Sequence, residues 1–299
     1  MPQSASTSTT SRRILIIFNP IAGNRSGGRL ERVIAALRAR GLSVTLKPTG
    51  KRGDAEAFAR ELSPADYDVV VAAGGDGTIN EVANGLSSEG PPLAIIPLGT
   101  ANVLAAEIAL PKSAEAIAEV IATGEARQVN VGIVNDRRFL LMAGVGFDAH
   151  VVANVDPAIK KAVGKLAYVW ETFRGLFKFP FKTYRITIDG IPYEAASAVI
   201  ANGRFYGGTF TCAPEARLEE QAFHVCLFLK GGRLQTMLYA AWLAMGRLHK
   251  RHDIKIVRGS EVVIDGPADE PVQGDGDILA TLKADAKVAP KMMRLVMPA

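Results

Sequence analysis

The chain reads as two unlike halves: a doubly wound α/β half built on a parallel sheet up to about residue 125, and a mostly antiparallel β half beyond it. Three observations support this. Apolar runs of strand length alternate with helical periodicity in the first half. The loops that follow those strands are rich in Gly, Asn and Thr, the composition of phosphate-type loops at strand C-terminal ends. After residue 125 short strands take over, and Asp189-Gly190 is a hairpin turn signal.

In chain order, residues 1–12 are Ser/Thr-rich and predicted to be disordered. A buried strand follows at 13–18, then the loop opened by Asn19-Pro20 and running through Gly23, Gly27 and Gly28 into an amphipathic helix over 29–40, which Gly41 ends. A strand at 42–46 leads to Thr49-Gly50-Lys51-Arg52-Gly53-Asp54-Ala55 ahead of a helix. The unbroken apolar run 69–73 is a fully buried parallel strand, and Gly74, Gly75 and Gly77 let the backbone turn tightly and approach a ligand. Thr78 is placed at the N-cap of the next helix, with Glu81 at capping-box spacing and Asn84-Gly85 near its end. Strand, glycine turn and helix N-terminus together aim backbone N–H groups at one point, a site for phosphate. Asp76, the acid in that turn, can hold the Mg²⁺ that phosphate carries. The spacing is neither the Walker pattern nor the dinucleotide fingerprint.

A strand at 93–96 ends in Pro97-Leu98-Gly99-Thr100-Ala101-Asn102, and 113–123 is a helix. In the second half strands are predicted at 129–134, 138–143, 183–188, 195–201, 223–229, 254–257, 261–264 and 277–282, interrupted by helices over 160–181 and 237–248. The first of these helices interleaves Tyr168, Trp170, Phe173, Phe177 and Phe181 with Lys160, Lys161, Lys165, Arg174 and Lys178, which suits either an anionic lipid surface or a core helix with solvated charges. The second reads as core or as the wall of a lipid pocket.

Composition bounds the function. With 299 residues and 48% hydrophobic content the chain can bury large cores in one to two domains. A net charge of +5 and a pI near 9.2 suit a nucleotide or an anionic membrane and fall short of a nucleic-acid binder. Cys212 and Cys226 lie on apolar stretches and are expected as buried thiols. No stretch reaches spanning length and none forms a signal-peptide core, so a cytoplasmic protein is expected, with a peripheral place on the inner membrane face and a homo-oligomer left open.

Gly74-Gly75-Asp76-Gly77-Thr78-Ile79-Asn80-Glu81 resembles the nucleotide-binding signature of the diacylglycerol kinase catalytic family, which includes sphingosine and ceramide kinases and bacterial lipid kinases. The Gly-Gly-Asp-Gly-Thr core is shared with NAD kinases; the Asn-Glu after it is the lipid-kinase form. Asn19-Pro20, Thr49, Gly99-Thr100 and the loop 202–208 resemble further motifs of the family, in order. Val103 stands where many relatives have Asp, and Glu219-Glu220-Gln221 replaces the Asp-Gly of an accessory metal site. Asp275-Gly276-Asp277 resembles the family's Asp-Gly-Glu motif with Asp for Glu, preferred over Asp265-Gly266 because Val272-Gln273 precedes it.

The resemblance implies an ATP- and Mg²⁺-dependent lipid kinase of phospholipid metabolism, with an NAD kinase-like nucleotide domain over 13–128 joined by a closing strand at 291–299, and a β-sandwich-like lipid domain over 129–290. It further implies Asp275 as base with Asp277 and Asp76 in catalysis, metal at Asp76 through water and at Asp277, and nucleotide contacts from Asn19, Pro20, Thr49, Gly74, Gly75, Asp76, Gly77, Thr78, Asn80, Glu81, Gly99 and Thr100. An NAD kinase-type phosphotransferase and an inactive nucleotide- or lipid-binding relative are the alternatives.

Overall fold

A computed structural model describes residues 12–23, 28–154, 175–176 and 179–298. Four parallel strands, β1 (Arg13–Phe18), β2 (Ser43–Pro48), β3 (Val69–Gly74) and β4 (Leu93–Pro97), lie in the order β2-β1-β3-β4. Successive side chains on a strand point to opposite faces, so both faces of this sheet need cover. Ile14, Ile16, Val69 and Val71 pack under α2 (Arg29–Ala39) and α6 (Ala114–Thr123), which follow α1 (Pro20–Gly23) and α5 (Val103–Glu107) respectively in the helix count. Leu15, Ile17, Val70 and Ala72 pack under α3 (Asp54–Arg60) and α4 (Asp76–Gly85). This is the expected doubly wound arrangement, and β3 at its centre is buried along its whole length.

The second half contributes β5 (Glu125–Val134), β6 (Arg137–Phe139), β7 (Met142–Val145), α7 (Phe147–Asn154), β8 (Tyr184–Ile188), β9 (Ile191–Ala195), β10 (Ser197–Ala201), β11 (Phe205–Tyr206), β12 (Phe210–Thr211), β13 (Phe223–Phe228), α8 (Arg233–Ala244), β14 (Ile254–Gly259), β15 (Glu261–Asp265), β16 (Pro271–Gly274), β17 (Asp277–Thr281) and β18 (Ala284–Met297). β14-β13-β10-β7-β16-β17 form one sheet. Its inner face meets β8, β15 and part of β18 across a core containing Phe139, Val145, Tyr184, Ile200, Phe223 and Ile264. That is a β-sandwich. Its outer face, with Val199, Cys212 and Cys226, packs against Tyr239 and Trp242 of α8, and both cysteines are free and buried.

The closing strand is longer than expected. β18 pairs antiparallel with β5 from Ala286↔Val134 to Met297↔Glu125, with β15 at Glu261↔Lys287, and parallel with β4 at Leu295↔Leu93. One sheet therefore runs through both halves.

Several predicted boundaries move for physical reasons. α4 starts at Asp76 behind an extended Gly75, so Thr78 lies within the first turn and does not cap the helix. The strand expected at 138–143 is two strands, because the N–H groups of Leu140, Leu141 and Met142 go to a side chain, Asp275. The strand expected at 195–201 is also two, β9 and β10, which lie in different sheets. β16 and α7 were not anticipated, and α8 begins four residues before the predicted 237. Most of the basic-aromatic segment 160–181, with Lys160, Lys161, Lys165 and Trp170, lies outside the described residues, as do residues 1–11.

α3 and α4 meet through Gly85, where an added methyl would run into the Glu56 backbone oxygen and lie 2.8 Å from Ala59 Cβ. Gly85→Ala should therefore destabilise by about 1–3 kcal/mol through overpacking. Gly53→Ala, at φ +90° with open space around it, should cost about 1 kcal/mol through backbone strain alone. Thermal unfolding of the two variants should rank them in that order.

Candidate active site

Two glycine turns meet at the C-terminal edge of the parallel sheet. Gly74 must lack a side chain because a methyl there would lie 2.5 Å from Thr78 Cβ, and one on Gly99 would lie 2.6 Å from Gly75 Cα. The turns after β3 and β4 are thus in backbone contact. Asn102, in the left-handed region at φ +49°, closes the second turn by accepting from Gly99 N at 2.9 Å and donating to Gly99 O at 2.8 Å. Asp76 stitches the turns together: its carboxylate accepts from Asn102 N at 2.9 Å and Val103 N at 2.7 Å, at the start of α5. Burial pushes its pKa up while these backbone N–H groups oppose the rise. Asp76 therefore has a structural duty that sequence reasoning missed, and an amide in its place would set a donor against a donor.

Asp275 is more tightly held. Its Oδ2 accepts from Asn80 Nδ2 at 2.7 Å and Leu140 N at 2.6 Å; its Oδ1 accepts from Leu141 N at 3.0 Å and Met142 N at 3.1 Å. A carboxylate offers about four acceptor positions, and here all are taken. Burial still raises the pKa to about 6, low enough for the ionised form that four N–H donors require at neutral pH. Asn80, expected at the nucleotide, is buried and spends its amide on Asp275, its Oδ1 accepting from Asn84 at 2.8 Å. Two residues on, Asp277 is only half-buried. Its Oδ2 lies 3.2 Å from Arg52 and 4.0 Å from where a methyl on Gly77 would stand, so it faces the first glycine turn.

A cavity of about 1260 Å³ connects these groups. Asn19 and Thr49 border it from the ends of β1 and β2; Gly75, Asp76, Gly77 and Thr78 from the central turn, with Glu81 one turn along α4; Gly99 and Thr100 from the second turn; and Asp275 and Asp277 from the opposite half. Pro20, Gly74 and Asn80 do not border it, whereas Lys51 and Arg52 do. Asp265, the competing Asp-Gly position, lies at the end of β15 beside Lys283, away from the cavity. Away from the glycine turns the walls become apolar, with Phe147, Val151, Leu176, Val199, Phe228 and Leu243.

Between the polar and apolar ends sits a network the sequence reading did not find. Asp148 accepts from the Tyr206 hydroxyl and from Gln273 Nε2 at 2.7 Å, and Gln273 Oε1 accepts from Gly276 N at 3.1 Å. The chain of bonds thereby reaches the loop carrying Asp275 and Asp277. Burial drives the Asp148 pKa up, against those two hydrogen bonds. A signal was present: Val145-Gly146-Phe147-Asp148 repeats the strand, glycine and helix order seen at Asp76, with Gly146 at φ +95°. Glu107 is a second unforeseen link, accepting from Arg204 N at 2.9 Å and Phe205 N at 3.1 Å and so tying the loop 202–208 to α5.

No cluster of three or more metal-ligating side chains occurs among the described residues. Glu220 is engaged by His224 at 2.9 Å and by Arg258.

Comparison with known proteins follows the same division. Residues 13–134 match the family described as Diacylglycerol kinase catalytic domain, and residues 142–297 match the YegS C-terminal NAD kinase beta sandwich-like domain. A protein of Enterobacter sp. (strain 638) named "Probable lipid kinase YegS-like" is 31% identical over 234 residues, 75% of this chain and 76% of its own. The diacylglycerol kinase of Staphylococcus aureus (strain MRSA252) is 29% identical over 280 residues, 92% of this chain and 89% of its own. A crystal structure of a diacylglycerol kinase from Bacillus anthracis str. Sterne superposes with a TM-score of 0.78 at 24% identity, covering 97% of this chain and 98% of that one, a likeness of fold. With both halves matched in order, the chain belongs to the diacylglycerol kinase catalytic family and is a lipid kinase.

Proposed function

We propose that the protein transfers the γ-phosphoryl group of ATP to a hydroxyl of a diacylglycerol-like or sphingoid lipid. The observation behind this reading is that one cavity joins the two glycine turns to an apolar chamber. A soluble acceptor such as NAD would need polar partners where Val151, Leu176, Val199 and Phe228 stand, which disfavours an NAD kinase. We assign residues 13–128 with the closing strand to the nucleotide and 129–290 to the lipid.

Phosphoryl transfer asks the protein for alignment, for stabilisation of spread charge, and for a group to take the hydroxyl proton. On this reading the N–H groups of the turn from Gly75 to Thr78 meet the phosphates at the start of α4. Asn19, Thr49 and Thr100 border the rest of the nucleotide, and Lys51 and Arg52 add positive charge at the rim. Mg²⁺ bound with phosphates commonly takes only one or two protein carboxylates. Asp76, whose carboxylate borders the cavity while accepting from Asn102 N and Val103 N, fits that role. When bound, the ion would neutralise charge on the phosphoryl oxygens.

The base is reassigned. Asp275 has no acceptor position left, so it positions the loop; Asp277, two residues on and facing the glycine turn, takes the proton from the lipid hydroxyl. Arg52, within 3.2 Å, holds that carboxylate across the cleft. Asp148, through Gln273, positions the same loop from the lipid side.

Labelled ATP and Mg²⁺ incubated with diacylglycerol, sphingosine, ceramide, phosphatidylglycerol and NAD should place label in a lipid. Label in NAD, or nowhere, would overturn the reading. Asp277→Asn should lower lipid phosphorylation by about a hundred- to ten-thousandfold with the melting temperature unchanged. Asp275→Asn should instead lower the melting temperature, since its amide would confront backbone donors. A stable but inactive Asp275→Asn beside an active Asp277→Asn would return the base to Asp275.

The pH dependence follows from burial. Because the folded pKa of Asp275, about 6, lies above the unfolded value of about 3.9, its contribution to stability is complete below about pH 4 and is lost as pH rises through about 6. The stability of the wild type minus that of Asp275→Asn should therefore fall by about 2 kcal/mol between pH 4 and 7, read from denaturant unfolding at each pH. A constant difference would show that burial does not disfavour the ionised form.

A further inference from the structure

We propose that α8 and the turn after it are the surface by which this protein sits on an anionic phospholipid bilayer, an inference that rests on the lipid-kinase reading of the cavity behind it. Of the twelve residues of α8 only Tyr239 is buried. A helix on the outside of a globular protein ordinarily turns a polar face to water. This one does not. Leu234 is 71% exposed, Leu238 38% and Met245, just past the helix end, 56%. With the exposed Ala241 they stand at i, i+4, i+7 and i+11, a single stripe along one side, and the exposed Met237 widens it. A contiguous apolar patch of this kind marks an interaction surface.

Charge selects the partner. From Lys230 to His252 the sequence holds no Asp or Glu, while Lys230, Arg233, Arg247 and Lys250 are exposed at the two ends of the helix. Arg251 packs its guanidinium over the rings of Tyr239 and Trp242. Apolar side chains between basic flanks fit the interface of an anionic bilayer, where the cations meet headgroups and the apolar stripe enters the acyl boundary. A second copy of the chain fits poorly, because a symmetric contact would bring these same cations together.

Position supports the same partner. The side of α8 next to that stripe contributes Ala240, Leu243 and Ala244 to the cavity wall, with Met237 at the boundary between the two. One helix thus has its outer stripe toward the bilayer and its inner side on the chamber, so a lipid drawn from the leaflet reaches the polar end of the cavity along apolar surface. Among the described residues no helix is long and apolar enough to span a membrane.

The test uses the full chain and vesicles of phosphatidylglycerol and phosphatidylcholine, with pure phosphatidylcholine for comparison. Wild type should co-sediment with the anionic vesicles and be released by moderate salt. Leu234→Gln with Met245→Gln, at exposed positions outside the cavity wall, should weaken that binding about tenfold or more with an unchanged melting temperature, and Arg247→Glu with Lys250→Glu should do the same. Both double variants should still phosphorylate diacylglycerol presented in detergent micelles. Unchanged vesicle binding in the two variants would overturn the docking face. So would a wild-type dimer that Leu234→Gln with Met245→Gln dissociates while vesicle binding stays intact. If no lipid is phosphorylated even in micelles yet vesicle binding falls as expected, the docking face stands and the kinase reading fails.

Discussion

The structure depends on one saturated carboxylate. Asp275 receives its hydrogen bonds from α4 in the first half and from the segment between β6 and β7 in the second, so a single side chain fixes the glycine turn, the strand break and the Asp275-Gly276-Asp277 loop relative to one another. Removing a charge from water costs several kcal/mol unless its lone pairs are met, and four donors meet these. The same saturation that makes Asp275 a joint underlies the proposal that the proton goes instead to Asp277, which is paired with Arg52 at the rim.

Asp76 applies the same principle between the two glycine turns. Glycine permits two turns to touch at Gly75 and Gly99, but touching backbones gain little by themselves, and the carboxylate across Asn102 and Val103 is what locks them. Asp148 does likewise through Gln273. Three aspartates that border the cavity, Asp76, Asp148 and Asp275, thus hold loops in place.

Legibility in the sequence follows interaction range. β1, β3 and β4 were readable because burial on a parallel sheet produces unbroken apolar runs, and α6 was readable to within one residue, Ser113 being its N-cap and accepting from Ala116 N. Asn19, Thr49, Gly75, Gly77, Gly99 and Thr100 came from local motifs and line the cavity. What failed was long-range. The break at Leu140 needs a carboxylate 135 positions away, and Asn80 looks like a ligand contact until Asp275 is beside it. The division at β9 and β10 was hidden because both flank Ala196 without a turn signal. Thr78 misled through a capping spacing that Gly75 pre-empts by starting the helix earlier.

The long strand β18 has a consequence for how the protein is made. It pairs with β4 of the first half and with β5, yet it follows every other strand of that sheet in the chain. Contacts so distant along the chain are slow to form, and an unpaired strand edge invites misassociation. During translation the apolar β4 therefore emerges with an edge that waits for β18, and the first half completes its sheet only when that strand has been made. Folding of the two halves is in this sense a single event, and the interval before it is when the nascent chain stands most exposed to aggregation and most in need of chaperones.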